Sequence, residues 1–343
     1  MRPLLTPTVR RLWRDPETLQ LGRPPGRAVV LAGVDSLVRG VLGLLDGTRD
    51  RAGLVRAAAD SGCPPERTEE VLSLLAHACL LDDAAADRGA LAGLGRPERD
   101  RLAADLGSLR LVRGDDALIA VGRRRSARVV VDGAGRVGAT VAALLAASGV
   151  GIVDVVDDGL TRPEDCGIGG LPPTAVGRPR AQATRDLLTA VAGQVSAGAD
   201  HVAFPDLLVL APPAGFAVPE PPRLVPHLLA EVRGDVGVVG PLVTAGTSAC
   251  LRCLDLTRAD RDPGWPAIAV QLATPARDVA PCDTALAVAV AAQTAMQALA
   301  FLDGAPRPGS VGGTLELVLP DWRWRRRSWQ VHPDCDCGWR DAG

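Results

Sequence analysis

Lysine is absent from this 343-residue chain, and so are asparagine and tyrosine. All 38 basic residues are therefore arginines. The missing lysine excludes a phosphate-loop lysine, a Schiff base with pyridoxal phosphate and a lysine general base. The missing asparagine removes any N-glycosylation acceptor. Aromatic residues are scarce too, with six tryptophans and three phenylalanines, which leaves few platforms for stacking bases. A net charge of −2 gives no overall attraction for nucleic acid. The apolar stretch from Ala285 to Leu302 is alanine-rich and interrupted by Gln293, Thr294 and Gln297, so a membrane span is not expected. The first fifteen residues hold no apolar run of signal-peptide length, and a cytoplasmic location is expected.

What is present is 47% apolar, enough for real cores, and the length suggests two domains. Eight cysteines include a C-x-x-C at Cys250 and Cys253 and a C-x-C at Cys335 and Cys337. Cys63, Cys79, Cys166 and Cys282 stand alone. In a cytosolic chain of this size, paired cysteines favour a metal over a disulfide.

Residues 1–85 read as a small α+β module of winged-helix-like plan. A hairpin joins Thr18–Gly22 to Ala28–Leu31 through Pro24-Pro25-Gly26. Three short helical patterns follow, Ser36 to Leu45, Asp50 to Ala59 and Pro65 to Leu81, with Gly47 and Gly62 placed as C-caps. Residues 86–114 read as a polar linker or surface helix, and Ser108 to Val121 as a strand or two. The main α/β domain takes residues 115–343.

That domain opens with a strand, Arg128 to Asp132, and then Gly133-Ala134-Gly135-Arg136-Val137-Gly138. A helix carrying Val137, Val141, Leu144 and Leu145 on one face stops at Gly149, and a second strand, Ile152 to Val156, ends in Asp157. An acid about 20 residues beyond the glycine run completes a Rossmann-like nucleotide fingerprint in its strand–helix–strand context. Gly133 serves the tight turn, Gly135 the approach of backbone to phosphate, and Gly138 the packing of helix on strand. The helix N-terminus favours an anion, and Asp157 is placed for ribose hydroxyls.

The order G-A-G-R-V-G, S-G-V-G-I-V-D-V-V-D, V-G-R-P-R, C-L-R-C and H-P-D-C-D-C resembles the ThiF and MoeB superfamily across about residues 115 to 340. The resemblance implies a mixed sheet, a homodimer, a structural zinc, and adenylation of a peptide or carrier-protein C-terminus with ATP and magnesium. It carries nucleotide binding onto Gly133, Gly135, Arg136, Gly138 and Asp157. It carries the metal onto Cys250, Cys253, Cys335 and Cys337, four thiolates that would satisfy tetrahedral zinc, with His332 as a possible substitute. It places Arg180 where the family has its phosphate lysine, and Cys282 near the region of a catalytic cysteine. Arg180 and Cys282 are thus the catalytic candidates.

Several family positions are changed. Arg136 replaces the second glycine of the G-G pair, and Gly159 the second aspartate of D-x-D. Pro163 to Ile168 stands in for S-N-L-x-R-Q, and the strand ending Leu210-Ala211-Pro212 lacks the aspartate that positions magnesium. These losses fall on the chemistry and point to a degenerate adenylation site. The N-terminal module, with Leu44 to Asp50, resembles PqqD-like modules that capture a leader peptide as an added strand. Together the two resemblances imply a binder of ribosomally made precursor peptides that works with a YcaO-type or other modifying enzyme. An active ATP-dependent adenylyltransferase is the alternative.

Trp322-Arg323-Trp324-Arg325-Arg326-Arg327-Ser328-Trp329 reads as an amphipathic strand, tryptophans on the core face and arginines in water, rather than as a patch for an acidic peptide or nucleic acid. Asp283 is placed to cap the helix that begins at Thr284. His77, His201 and His227 have no partner at ligand spacing.

Overall fold

The structure is a computed structural model that describes the whole chain except residues 8, 23–27, 87–90, 92, 115, 194–203, 214–217, 219–220, 273, 275–279, 306 and 338–343. Pro24-Pro25-Gly26 and His201 therefore lie outside the described residues. The chain divides into two compact units, Met1–Gly122 and Arg123–Gly343.

In the first unit, β1 (Pro3–Leu5) pairs antiparallel with β5 (Leu81–Asp83). β2 (Arg11–Asp15), β3 (Thr18–Leu21) and β4 (Val29–Leu31) form an antiparallel sheet, with Leu19 opposite Leu31 and Leu21 opposite Val29. The two strands of the expected hairpin are thus the central strand and one edge of a three-stranded sheet. Three helices follow, α1 (Ser36–Leu44), α2 (Arg51–Asp60) and α3 (Pro65–His77). Asp35 and Asp50 cap the first two, their carboxylates accepting backbone N–H bonds from Val38 and Gly53. Leu19, Leu21, Leu54, Leu72 and Leu75 are fully buried and make the core.

The stretch read as a polar linker or surface helix is helical from Arg96, as α4 (Arg96–Arg113), and the strand expected over Ser108 to Val121 falls instead in α4 and the start of α5 (Asp116–Ser126). The reason is spacing: Leu102, Leu106 and Arg110 recur every fourth residue and are all buried, as are Ala117 and Val121. Arg110 is paired with the buried Asp82, so α4 is anchored within the first unit.

The second unit holds a seven-stranded mixed sheet in the order β12-β11-β10-β9-β8-β6-β7. β6 (Arg128–Asp132), β7 (Ile152–Val156), β8 (Leu207–Leu210) and β9 (His227–Arg233) run parallel. β10 (Val236–Val243), β11 (Gly313–Val318) and β12 (Arg323–Ser328) continue antiparallel. Burial is deepest in the middle of the sheet: β8 is buried at every position, as strands covered on both faces are, and β9 and β10 nearly so. α6 (Arg136–Ala147), α7 (Arg180–Ala192) and, after α8 (Leu251–Arg261) and α9 (Trp265–Leu272), α10 (Thr284–Leu302) follow in the chain, and α10 packs on α6, β9 and β10. α10 is the one described helix long and apolar enough to cross a membrane, and half of its apolar window is buried inside the unit. Its first turn is capped by Asp283, whose carboxylate accepts the Leu286 N–H at 2.9 Å.

The last strand departs from expectation. Every residue of β12 is exposed, including Trp324 at 38%, and Trp322 just before it is 48% exposed. Only Trp329, beyond the strand, is buried. Trp324 lies opposite the buried Leu317, so it does share the core-facing side of the sheet. β12 is the edge strand, however, and α10 packs on β9 and β10 further in.

Candidate functional site

The chain leaves β6 for β7 on one side and returns to β8 on the other. Ligands of open α/β sheets bind at such a reversal, outside the carboxyl ends of the strands. The glycine loop lies there. Gly133 has φ +104, and a Cβ on it would stand 2.0 Å from the Ala211 carbonyl oxygen. A Cβ on Gly138 would stand 1.9 Å from the Gly133 carbonyl oxygen. Both positions therefore tolerate only glycine, and Gly135 is the N-cap residue of α6. The loop has the shape the sequence predicts.

The charged groups around it point elsewhere. Asp157, expected at a ribose, is buried at 3% exposure and fully engaged. It accepts the Ala134 N–H at 2.8 Å, the Gly159 N–H at 2.7 Å, and the Nε–H of Arg180 at 2.9 and 3.0 Å. Arg180 also donates from Nη1 to Asp165 at 3.2 Å, and its guanidinium is only 6% exposed. Asp165 in turn accepts the Arg162 backbone N–H at 2.9 Å. Arg180 is thus clamped between two carboxylates. The clamp depends on Gly159, where a Cβ would lie 2.2 Å from Arg180 Nη2.

Arg136 is held as firmly. Its Nε–H donates to the Glu164 carbonyl at 2.9 Å, and Nη1 donates to the Cys282 carbonyl at 2.7 Å and to Thr284 Oγ1 at 3.2 Å. Beside the loop, Pro212 and Pro213 take the place after β8, and Pro213 lies 3.3 Å from where a Gly135 Cβ would be. A cavity of about 800 Å³ remains, lined by Asp132, Gly133, Asp157, Asp158, Thr161, Arg162 and Pro213 among others. Burial, together with the charges of Asp157 and Asp158, pushes the Asp132 carboxyl above the usual range. The Thr161 hydroxyl oxygen is buried without a hydrogen-bond partner among the described residues. Asp132, Asp158, Thr161 and Asp165 were not singled out from sequence. For Asp132 the signal was available, since it ends the strand that feeds the glycine loop.

Cys282 enters the site through its backbone carbonyl. Burial raises its thiol pKa, Arg136 lowers it, and Asp283 and Asp165 raise it again. The net shift is upward, opposite to the thiolate activation expected at a helix N-terminus.

The four paired cysteines do meet. Cys250 begins α8 (Leu251–Arg261) as its N-cap residue, Cys253 lies in its first turn, and Cys335 and Cys337 come from the chain beyond β12. All four sulfurs lie within 4.8 Å of one another. Cys250 Sγ is 3.6 Å from those of Cys253 and Cys335, and Cys253 Sγ is 3.9 Å from that of Cys337. A disulfide requires about 2.05 Å. A tetrahedral ion with sulfurs at about 2.3 Å spaces them about 3.8 Å apart, so the C-x-C pair reaches as well as the C-x-x-C pair, and the cluster can hold a metal ion. His332 is not the substitute ligand. Its Nε2 bonds Asp260 at 2.8 Å and its Nδ1 accepts the Asp334 N–H at 3.1 Å, which occupies both ring nitrogens.

Residues 114–206 match the model of the ThiF family. No curated protein matches the chain. Among solved structures, E. coli MccB with succinimide superposes with a TM-score of 0.68 at 16% identity, covering 98% of this chain and 99% of that one. The microcin C7 biosynthetic enzyme MccB with N-formylated MccA gives the same TM-score and identity, covering 98% and 100%. PaaA gives a TM-score of 0.62 at 17% identity, covering 94% and 99%. At such identities the likeness is one of fold. The match to the ThiF family thus covers the segment that holds the glycine loop, and the mixed sheet around it has the fold of these structures.

Proposed function

We propose that this chain binds a ribosomally made precursor peptide and presents it to a separate modifying enzyme, of YcaO type or another, while its own adenylation site is degenerate. The observation that carries the reading is the clamp on Arg180. Adenylation joins a carboxylate to an α-phosphate and needs cations aimed at phosphate, with magnesium held by acids. Here Arg180 is neutralised by Asp157 and Asp165, and Arg136 is committed to backbone carbonyls. The cavity that remains is lined by three acids, Asp132, Asp157 and Asp158, which oppose a triphosphate, against Arg162 and the clamped Arg180. The N-terminal unit supplies the binding part of the reading, an antiparallel sheet backed by three helices.

The four cysteines fit a structural zinc, since all four positions are protein sulfurs and none is left for water. The ion would tie α8 to the chain after β12 and take no part in chemistry. Homodimerisation and a cytoplasmic location complete the proposal. A second reading, an active adenylyltransferase, is favoured by one feature, the sterically intact glycine loop; MccB, of like fold, is seen with ATP.

Exchange of labelled pyrophosphate into ATP, with magnesium and candidate peptides, tests the two. No exchange, with tight binding of a peptide encoded beside this chain, is the expected result. Exchange above background would overturn the degenerate reading.

A further inference from the structure

The edge strand β12 has no role in the function proposed above, and its chemistry is unusual. Four of its six residues are arginine. Two of the four have acidic partners, Arg325 with Asp321 and Arg327 with Glu316. Arg326 donates to the Gly309 and Val311 carbonyls. Four guanidiniums against two carboxylates still leave the strand a net positive strip, on a chain whose net charge is −2.

Charged edges are one way proteins keep sheets from pairing. This edge also exposes Trp322 and Trp324, which a purely protective edge does not need. Tryptophan and arginine are the residues most enriched where binding energy concentrates. Trp322 also has φ +54, a backbone region that a bulky residue rarely adopts. Among the described residues β12 pairs only with β11, so its outer side offers a row of unpaired backbone groups about six residues long.

We propose that β12 binds an extended, acidic segment of a peptide as an added strand of the sheet, acids over the arginines and apolar side chains against Trp322 and Trp324. The occupant follows from charge. A second copy would set arginine against arginine, whereas an acidic strand complements the strip and pairs with the edge. A lone edge of this length fits an extended peptide. The peptide's source, the precursor, rests on the function proposed above; the surface does not.

The test uses the full-length protein and two synthetic peptides of about twelve residues, one alternating glutamate with valine and one alternating lysine with valine. Tryptophan fluorescence and calorimetry follow binding. The acidic peptide is expected to bind, weakening steeply as salt rises, and the basic one to fail. Arg323→Glu and, separately, Trp324→Ala are expected to weaken binding by at least about ten-fold. Both side chains are exposed, and an unchanged melting temperature verifies the fold of each variant. Equal binding of both peptides, no binding of either, or binding indifferent to both substitutions would overturn the proposal. So would an assembly state that changes from dimer to monomer with Arg323→Glu, which would make β12 an interface between copies. A peptide encoded beside this chain is then offered as competitor. If it displaces the acidic probe, it is the occupant. If it binds the protein without displacing the probe, the assignment of source falls and peptide binding by the protein stands.

Discussion

Replacing Arg180 by alanine separates a buried brace from a phosphate ligand. The guanidinium is 6% exposed and bonds two carboxylates that are themselves buried. Removing it leaves Asp157 with the Ala134 and Gly159 N–H groups, and Asp165 with that of Arg162. Breaking a buried pair by deleting one partner costs about 3–5 kcal/mol, because the other charge stays buried. In a unit of this size each kcal/mol moves the melting temperature by about 2–4 °C, so a fall of about 10 °C is expected. Gly159→Ala attacks the same clamp from the other side, since its Cβ would lie 2.2 Å from Arg180 Nη2. Without Arg180 that clash disappears. The double variant should therefore be much less destabilised than the sum of the singles, with a coupling of about 2 kcal/mol. Thermal and urea unfolding of the three variants measure this, and calorimetry with ATP accompanies them. An Arg180→Ala protein that melts within about 2 °C of the parent and loses ATP binding would refute the brace, and Arg180 would then be a phosphate ligand.

Asp132 has a folded pKa above its ordinary value, so its ionised form works against folding. Its favourable contribution is complete only below the unfolded carboxylate pKa and is lost as pH rises through the folded one. Asp132→Asn should therefore melt higher than the parent at pH 7, with the gain shrinking to nothing near pH 4; an equal melting temperature at pH 7 contradicts this. His227 is buried, and burial lowers its pKa, the Val225 carbonyl opposing. The unfolded chain takes up this proton first, so stability should fall as pH drops below about 6.5, and His227→Gln should flatten that part of the profile. Native mass spectrometry should find one metal ion per chain, lost in Cys253→Ser along with several degrees of melting temperature. Because the thiols must be deprotonated to hold the ion, acid should release it.

The glycine loop was legible in sequence because steric need leaves only one residue type at Gly133 and Gly138. The four cysteines were legible by spacing, and the sulfur distances agree. The direction of Arg180 was not. Sequence records that an arginine replaces a lysine and a glycine replaces an aspartate, but not that the second change vacates the volume the first one fills. The exposed tryptophans of β12 were missed for a different reason. Alternation assigns Trp324 to one face of the sheet, and it is on that face, but alternation says nothing of how far the helix layer reaches. The strand expected over Ser108 to Val121 is helix instead, because that window hides the four-residue spacing that begins at Leu102.

The cysteine cluster joins positions 85 residues apart, Cys250 and Cys335, and everything between them would become a closed ring with the proposed ion bound. That ring contains α10 and the strands β11 and β12. A cross-link of this span removes about 4–5 kcal/mol of chain entropy from the unfolded ensemble, if the ion stays with the unfolded thiolates. The ion then acts partly on conformations never seen in the folded molecule. Its removal enlarges the set of open chains the protein must search. The metal-free protein should consequently refold more slowly, with the central helix and the sheet's outer strands the last to settle.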